Sequence, residues 1–182
     1  MKKWLNLLML VLMIALPAIA ASGQAEEGYP TMEQIWSIED PNDFMIALSD
    51  HLARKCQYGQ DMSALSEPER TIFITQSLEL EVNNGGFSQF FYNSGGDFTA
   101  ELVAAFTAIG AERTAAICRQ AIVAFGQELP ADRDARLALL DACESDELDE
   151  ALAECDNAFY EYQDDLNALN HAYVLLHREF FH

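Results

Sequence analysis

The sequence predicts an all-α protein: a compact single domain of about seven to nine helices over residues 30–182, following a cleaved leader. Three observations predict it. Apolar residues recur at spacings of three and four along nearly the whole chain after residue 30. Glycines, prolines and small polar residues punctuate that pattern at helix-length intervals. No run alternates apolar and polar residues as a half-buried strand does.

The chain opens with Lys2 and Lys3, followed by an apolar run from Trp4 to Leu16 interrupted only by Asn6. Pro17 breaks the run, and Ala18-Ile19-Ala20 places small residues where signal peptidase reads them. Residues 1–20 therefore read as a signal peptide cut near Ala20 or Ala21. The run is shorter than the roughly 20 residues a spanning helix needs, and no Cys directly follows it for lipid attachment. The expected destination is outside the cytoplasm, in the periplasm or the medium. Residues 21–29 read as a flexible linker. No later segment is apolar enough to cross a bilayer, so no membrane contact is expected after cleavage.

The domain, residues 30–182, follows element by element. Pro30 and Thr31 open a short helix to about Ile38. Pro41-Asn42-Asp43 starts a second, with Met45, Leu48, Leu52 and Cys56 on one stripe and Gly59 at its end. Ser66 and Glu69 form a capping box with Pro68 in the first turn. That helix runs to about Asn83, burying Ile74, Leu78 and Val82, and Asn84-Gly85-Gly86 stops it. A short helix, Phe87 to Asn93, comes next. Asp97 or Thr99 caps a helix with Leu102, Val103, Phe106 and Ile109 inward, ending at Gly110. The next carries Cys118, Ile122 and Phe125 to Gly126. Pro130 leads into a helix ending near Cys143. From Leu148 to Phe180 the apolar residues alternate spacings of four and three, a heptad seam. A single helix there would be about 50 Å long, so a break near Asp156-Asn157 is expected, with the seam serving as core.

Composition bounds the function. About 160 residues suffice for one domain that buries roughly 70% of its unfolded surface. The chain has 30 Asp and Glu against 10 Lys and Arg, a net charge of −20; without Lys2 and Lys3 the net is −22. Such a charge repels nucleic acid and anionic membrane and attracts basic proteins and cations. The four cysteines Cys56, Cys118, Cys143 and Cys155 all fall on apolar stripes. Export favours at least one disulfide among them, with three connectivities open. None lies in a C-x-x-C, so neither a zinc site nor a redox motif is indicated.

Two segments stand out as candidate sites. The first is the acidic run Glu144, Asp146, Glu147, Asp149, Glu150, Glu154 and Asp156, which flanks the seam at Leu148, Leu152 and Cys155. Helical carboxylates three or four apart sit about 5–6 Å apart at Cβ, close to the spacing of backbone phosphates. The run lacks the glycine and spacing of an EF-hand. The second is the stretch from Glu79 to Gly96. Glu81, seven residues after Ile74 and three after Leu78, faces the core, and Glu79 faces away. The free N–H groups at the start of the Phe87 helix are the nearest donors for a buried Glu81, with Asn84 and Gln89 completing the network. Glu81 thus reads as a structural clamp on the turn. No catalytic constellation emerges. His171 and His177, six apart, lie on different helix faces, and there is no H-E-x-x-H, G-x-S-x-G or phosphate loop. No cofactor or resident metal is expected.

Glu81, Asn84-Gly85-Gly86-Phe87, Gln89-Phe90-Phe91, Asn93 and Gly95 carry a resemblance, as do Ala108-Ile109-Gly110-Ala111, Ala121 and Phe125. The segment from about Thr75 to Phe125 resembles an uncharacterised bacterial family of acidic helical domains that includes a DNA mimic protein. Leu148, Phe159, Leu166 and Tyr173 are similar to the family's C-terminal pattern. The resemblance implies a mimic role: binding a DNA-binding protein in place of DNA. The leading expectation is a non-catalytic acidic protein that binds a basic partner through its carboxylate faces. The alternatives are an envelope assembly module that uses Phe87, Phe90, Phe91 and Tyr92 as contacts, and an envelope enzyme.

Overall fold

The structure, a computed structural model, describes residues 28–182. The signal peptide and nearly all of the linker expected at 21–29 lie outside the described residues. Eight α-helices and no strand occur among the described residues: α1 Met32–Ile35, α2 Pro41–Lys55, α3 Glu67–Tyr92, α4 Thr99–Ala108, α5 Glu112–Val123, α6 Arg133–Cys143, α7 Asp146–Tyr160 and α8 Leu166–Leu176. Three 3₁₀ turns join them, at Met62–Ala64, Ser94–Phe98 and Arg178–Phe180.

Local chemistry sets most helix starts. Thr31 and Ser66 close capping boxes with Gln34 and Glu69. Asp40, Asp132, Ser145 and Asp165 cap α2, α6, α7 and α8 by accepting backbone N–H groups of the first turn. Two helices have no local side-chain cap. The expected capping of α4 by Asp97 or Thr99 does not occur: the Ser94–Phe98 turn runs straight into α4, and the Thr99 hydroxyl instead donates to Gly96 O at 2.7 Å. For α5, Asp164 reaches in from the α7–α8 loop and accepts from Thr114 N at 2.8 Å and Thr114 Oγ1 at 3.0 Å.

α3 is the spine. At Gly85 (φ −166°, ψ 24°) and Gly86 (φ 77°, ψ −178°) it loses helical geometry and restarts, as the glycine pair predicts. Its first arm meets α2, α4 and α8. Glu69 accepts from Lys55 at 2.7 Å, Arg70 pairs with Glu101 of α4 through two bonds, and the Thr75 hydroxyl lies 2.8 Å from Asn170 Oδ1. Its second arm meets α6 and α7. The rings of Phe87 and Phe159 cross edge-on at 6.1 Å, and Phe91 meets Phe125 at 5.1 Å. Phe87, Phe90, Phe91, Leu78, Val82, Leu102 and Phe106 are wholly buried, so both arms share one core.

The heptad seam is two helices, as expected, but the break falls later than Asp156-Asn157. α7 continues to Tyr160, and the chain turns through Tyr162 at φ +46°. The turn resets the helical phase. The buried stripe of α8 is therefore Leu166, Asn170 and Val174, while Leu176, a seam residue by spacing, is 75% exposed. The disulfide expectation is also corrected: Cys56, Cys118, Cys143 and Cys155 are all free thiols. Cys56, Cys118 and Cys155 pack into the core as small apolar side chains.

The carboxylate face of α7 and the buried motif beneath it

The N-G-G-F-x-Q-F-F-x-N motif is a knot held by two side chains that the sequence reading did not assign to it. The first is Asp156 of α7. Its Oδ1 accepts from Phe87 N at 2.7 Å and so caps the second arm of α3 from another helix. A Cβ on Gly86 would overlap that carboxylate, so a glycine is required there both for its φ of +77° and for space. Burial raises the Asp156 carboxyl above the usual range, against the hydrogen bond from Phe87. Asp156 was expected in the partner-binding run; it is a cap instead.

The second is Arg136 of α6, fully buried. Nε donates to Phe91 O at 2.8 Å, Nη1 to Pro130 O and Ala131 O at 3.0 and 2.9 Å, and Nη2 to Asn93 O and Asp97 Oδ1 at 3.1 and 2.6 Å. Every guanidinium donor is used. The Ser94–Phe98 turn fits around it only because Gly96 lacks a side chain: a Cβ there would lie 2.6 Å from Arg136 Nε and 2.7 Å from Phe91 O. A Cβ on Gly95 would press on the Phe90 ring at 2.8 Å.

Glu81 does clamp the motif, with Gln89 among its donors as expected and Asn93 in place of Asn84 and the backbone N–H groups. It accepts from Gln89 Nε2 at 2.6 Å and Asn93 Nδ2 at 2.9 Å, tying the two arms of α3 across the glycine break. The Phe87 N–H belongs to Asp156, and exposed Asn84 makes no side-chain hydrogen bond among the described residues. Glu79, expected to face away, is partly buried. It accepts from Tyr162 Oη at 3.1 Å and Gln76 Nε2 at 3.2 Å, and desolvation pushes its carboxyl up. Of the four motif aromatics, Phe87, Phe90 and Phe91 have no exposed surface and Tyr92 is 54% exposed. The motif is core, which removes the aromatic contact surface that an assembly role invoked.

The rest of the acidic run is at the surface. Glu144 follows the end of α6, and Asp146, Glu147, Asp149, Glu150 and Glu154 project from α7. All six are exposed, and none forms an ion pair among the described residues. α7 has 15 residues, a length of about 22 Å. Glu147, Glu150 and Glu154 lie at i, i+3 and i+7, one row along its outer side. Its inner stripe, Leu148, Leu152, Cys155 and Phe159, is buried, and Asp156 pins it to α3. The carboxylate row thus stands on a helix that cannot rotate without uncapping the motif. Asp146, Glu147 and Asp149 also favour the positive end of the α7 dipole. Between Arg136 and Arg178 the chain has neither Lys nor Arg, so α7 has no basic residue of its own to offset the row.

Among the described residues no three His, Cys, Asp or Glu side chains come together as a metal site. Sequence reasoning missed Arg136, Asp97 and Asp164. For Arg136 a signal existed: it precedes Leu139, Leu140 and Cys143 by three, four and seven residues, placing it on the apolar stripe of α6.

Fold and site together define an acidic, all-helical domain built around a buried glycine–aromatic knot. The chain belongs to the DMP19-like protein family, whose family model matches residues 63–177. That match spans the domain from the Met62–Ala64 turn to the end of α8, and the family takes its name from a DNA mimic protein. No curated protein and no solved structure matches the chain.

Proposed function

We propose that the domain is a non-catalytic acidic binding protein whose α7 face engages a basic, DNA-binding type of protein in place of nucleic acid. The observation that carries the proposal is the row Glu147, Glu150 and Glu154: exposed, without ion pairs among the described residues, and fixed to a helix that Asp156 locks to α3. Membership of a DNA-mimic family supports the same reading, since such families are generally non-enzymatic. The leader at residues 1–20 supports export, which directs the face toward a basic protein of the periplasm or medium, such as a secreted nuclease.

The test is a pull-down from the producing cell's envelope and medium, eluted by a salt gradient and read by mass spectrometry. Exposed charges are screened over about 10 Å at 0.1 M salt. A basic protein is expected to elute at moderate salt, and the variant combining Glu147→Gln, Glu150→Gln and Glu154→Gln is expected to lose it. A partner that survives high salt and the triple variant would contradict the proposal.

A further inference from the structure

A groove of about 690 Å³ opens between α2, the first arm of α3 and the Ser94–Phe98 turn, within the usual range of ligand pockets. No residue of α7 lines it, so it is separate from the carboxylate face. Met45, Phe73 and Phe98 form its apolar walls. At its edge Ile46, Tyr58 and Leu80 are 61%, 66% and 72% exposed. Three large apolar side chains gathered around one depression form a patch of the kind that marks interaction sites.

Charge adds direction. Asp50, Glu79 and Glu81 line the groove, and among the described residues no Lys or Arg does. Asp50 is paired with Arg54 at 3.2 Å. Glu79 and Glu81 receive only neutral donors, from Gln76 and Tyr162 and from Gln89 and Asn93. Two partly buried carboxylates thus line a largely apolar channel, with no Lys or Arg paired to them among the described residues.

We propose that this groove docks an amphipathic basic helix of a partner protein, its apolar stripe on Ile46, Leu80 and Phe98 and a Lys or Arg reaching Glu79 or Glu81. A helix suits the site because it satisfies its own backbone. The groove runs between helices and offers no sheet edge, so an extended peptide would leave N–H and C=O groups unpaired against apolar walls. Charge complementarity selects a basic stripe and rejects an acidic one.

The test uses the full chain and three synthetic peptides labelled for fluorescence anisotropy: a Leu/Lys helix with one apolar stripe, the same composition scrambled to remove the stripe, and the striped peptide with Gln for Lys. At about 0.3 M salt, where the Debye length is well below 10 Å, the striped Lys peptide is expected to bind at least about tenfold more tightly than either control. Replacing both exposed residues, Ile46→Ser with Leu80→Ser, is expected to weaken it about tenfold, while the α7 triple variant leaves it within about twofold. Amide shift mapping on the unmodified chain reads the site without substitution, with changes expected around residues 45–50 and 76–81. Equal binding of the scrambled peptide, an unaffected Ser double variant, or shifts confined to α7 would overturn the groove proposal and leave the α7 face as the site of contact.

Discussion

Arg136 has five guanidinium donors and five acceptors, four of them backbone carbonyls and one the half-exposed carboxylate of Asp97. A single charge so placed holds α6, the end of α3 and the Ser94–Phe98 turn together. Lysine has the charge without the planar fork. Arg136→Lys is therefore expected to strand several carbonyls and cost about 3 kcal/mol, read as a fall in the midpoint of urea unfolding. An unchanged midpoint would mean that the network contributes nothing. Asp156 supports a finer distinction. Asp156→Ala removes the cap on Phe87 N and is expected to cost about 1–2 kcal/mol. Asp156→Asn keeps an acceptor oxygen and sheds the desolvated charge, so its loss is expected to be smaller. The reverse order in a thermal melt would contradict the capping role. Both residues hid from sequence reasoning for one reason. An Asp in an acidic run and an Arg in a charged helix look like surface residues until the partner backbone is placed, and that backbone is 45 residues away for Arg136 and 69 for Asp156.

At the scale of the helix, most of what the structure shows was legible. Capping boxes at Thr31 and Ser66 and glycines at the ends of α4 and α5 are local signals, and the helices start and stop where those signals stand. The glycine break inside α3 was legible for the same reason. What was not legible depended on contacts between helices. The seam from Leu148 to Phe180 is continuous in spacing, yet the chain turns at Tyr162 because Asp164 caps α5 and Asp165 caps α8. The cysteines fell on apolar stripes as read, but stripe position is equally compatible with pairing and with burial. Burial raises the thiols of Cys56, Cys118 and Cys155, and Cys143 is the half-buried one. Thiolate is the reactive form. A thiol reagent is expected to label Cys143 first in the folded chain and all four after denaturation. Fewer than four thiols in the denatured protein would restore the disulfide expectation.

For the whole molecule, a net charge of −20 acts against compactness at neutral pH. Burial raises the carboxyls of Glu79 and Asp156 above their ordinary 4.5 and 3.8. The folded chain then holds protons there that the unfolded chain releases, so stability from these groups is present below the ordinary values and lost as pH rises through the raised ones. His51 works the other way. Desolvation, with Lys55 and Arg54 beside it, lowers its pKa below 6.5, so its contribution is present above 6.5 and lost as pH falls through the lowered value. Acidification is expected to lower the melting temperature first, as pH falls below 6.5 and the His51 contribution is lost. Part of it is expected to recover as pH falls through the raised values of Glu79 and Asp156, and Glu79→Gln is expected to reduce that recovery. A melting temperature that falls steadily from neutral pH in both proteins would contradict this balance. The same excess of carboxylate underlies the central claim, that α7 presents a charged face built for a basic partner. The most direct measurement is the dissociation constant of the captured basic protein as a function of salt, for the unmodified chain and the Glu147→Gln, Glu150→Gln, Glu154→Gln variant. The account predicts affinity that falls steeply with salt and a variant that is both weaker and less salt-sensitive. Identical affinity and identical salt dependence in the two proteins would contradict it.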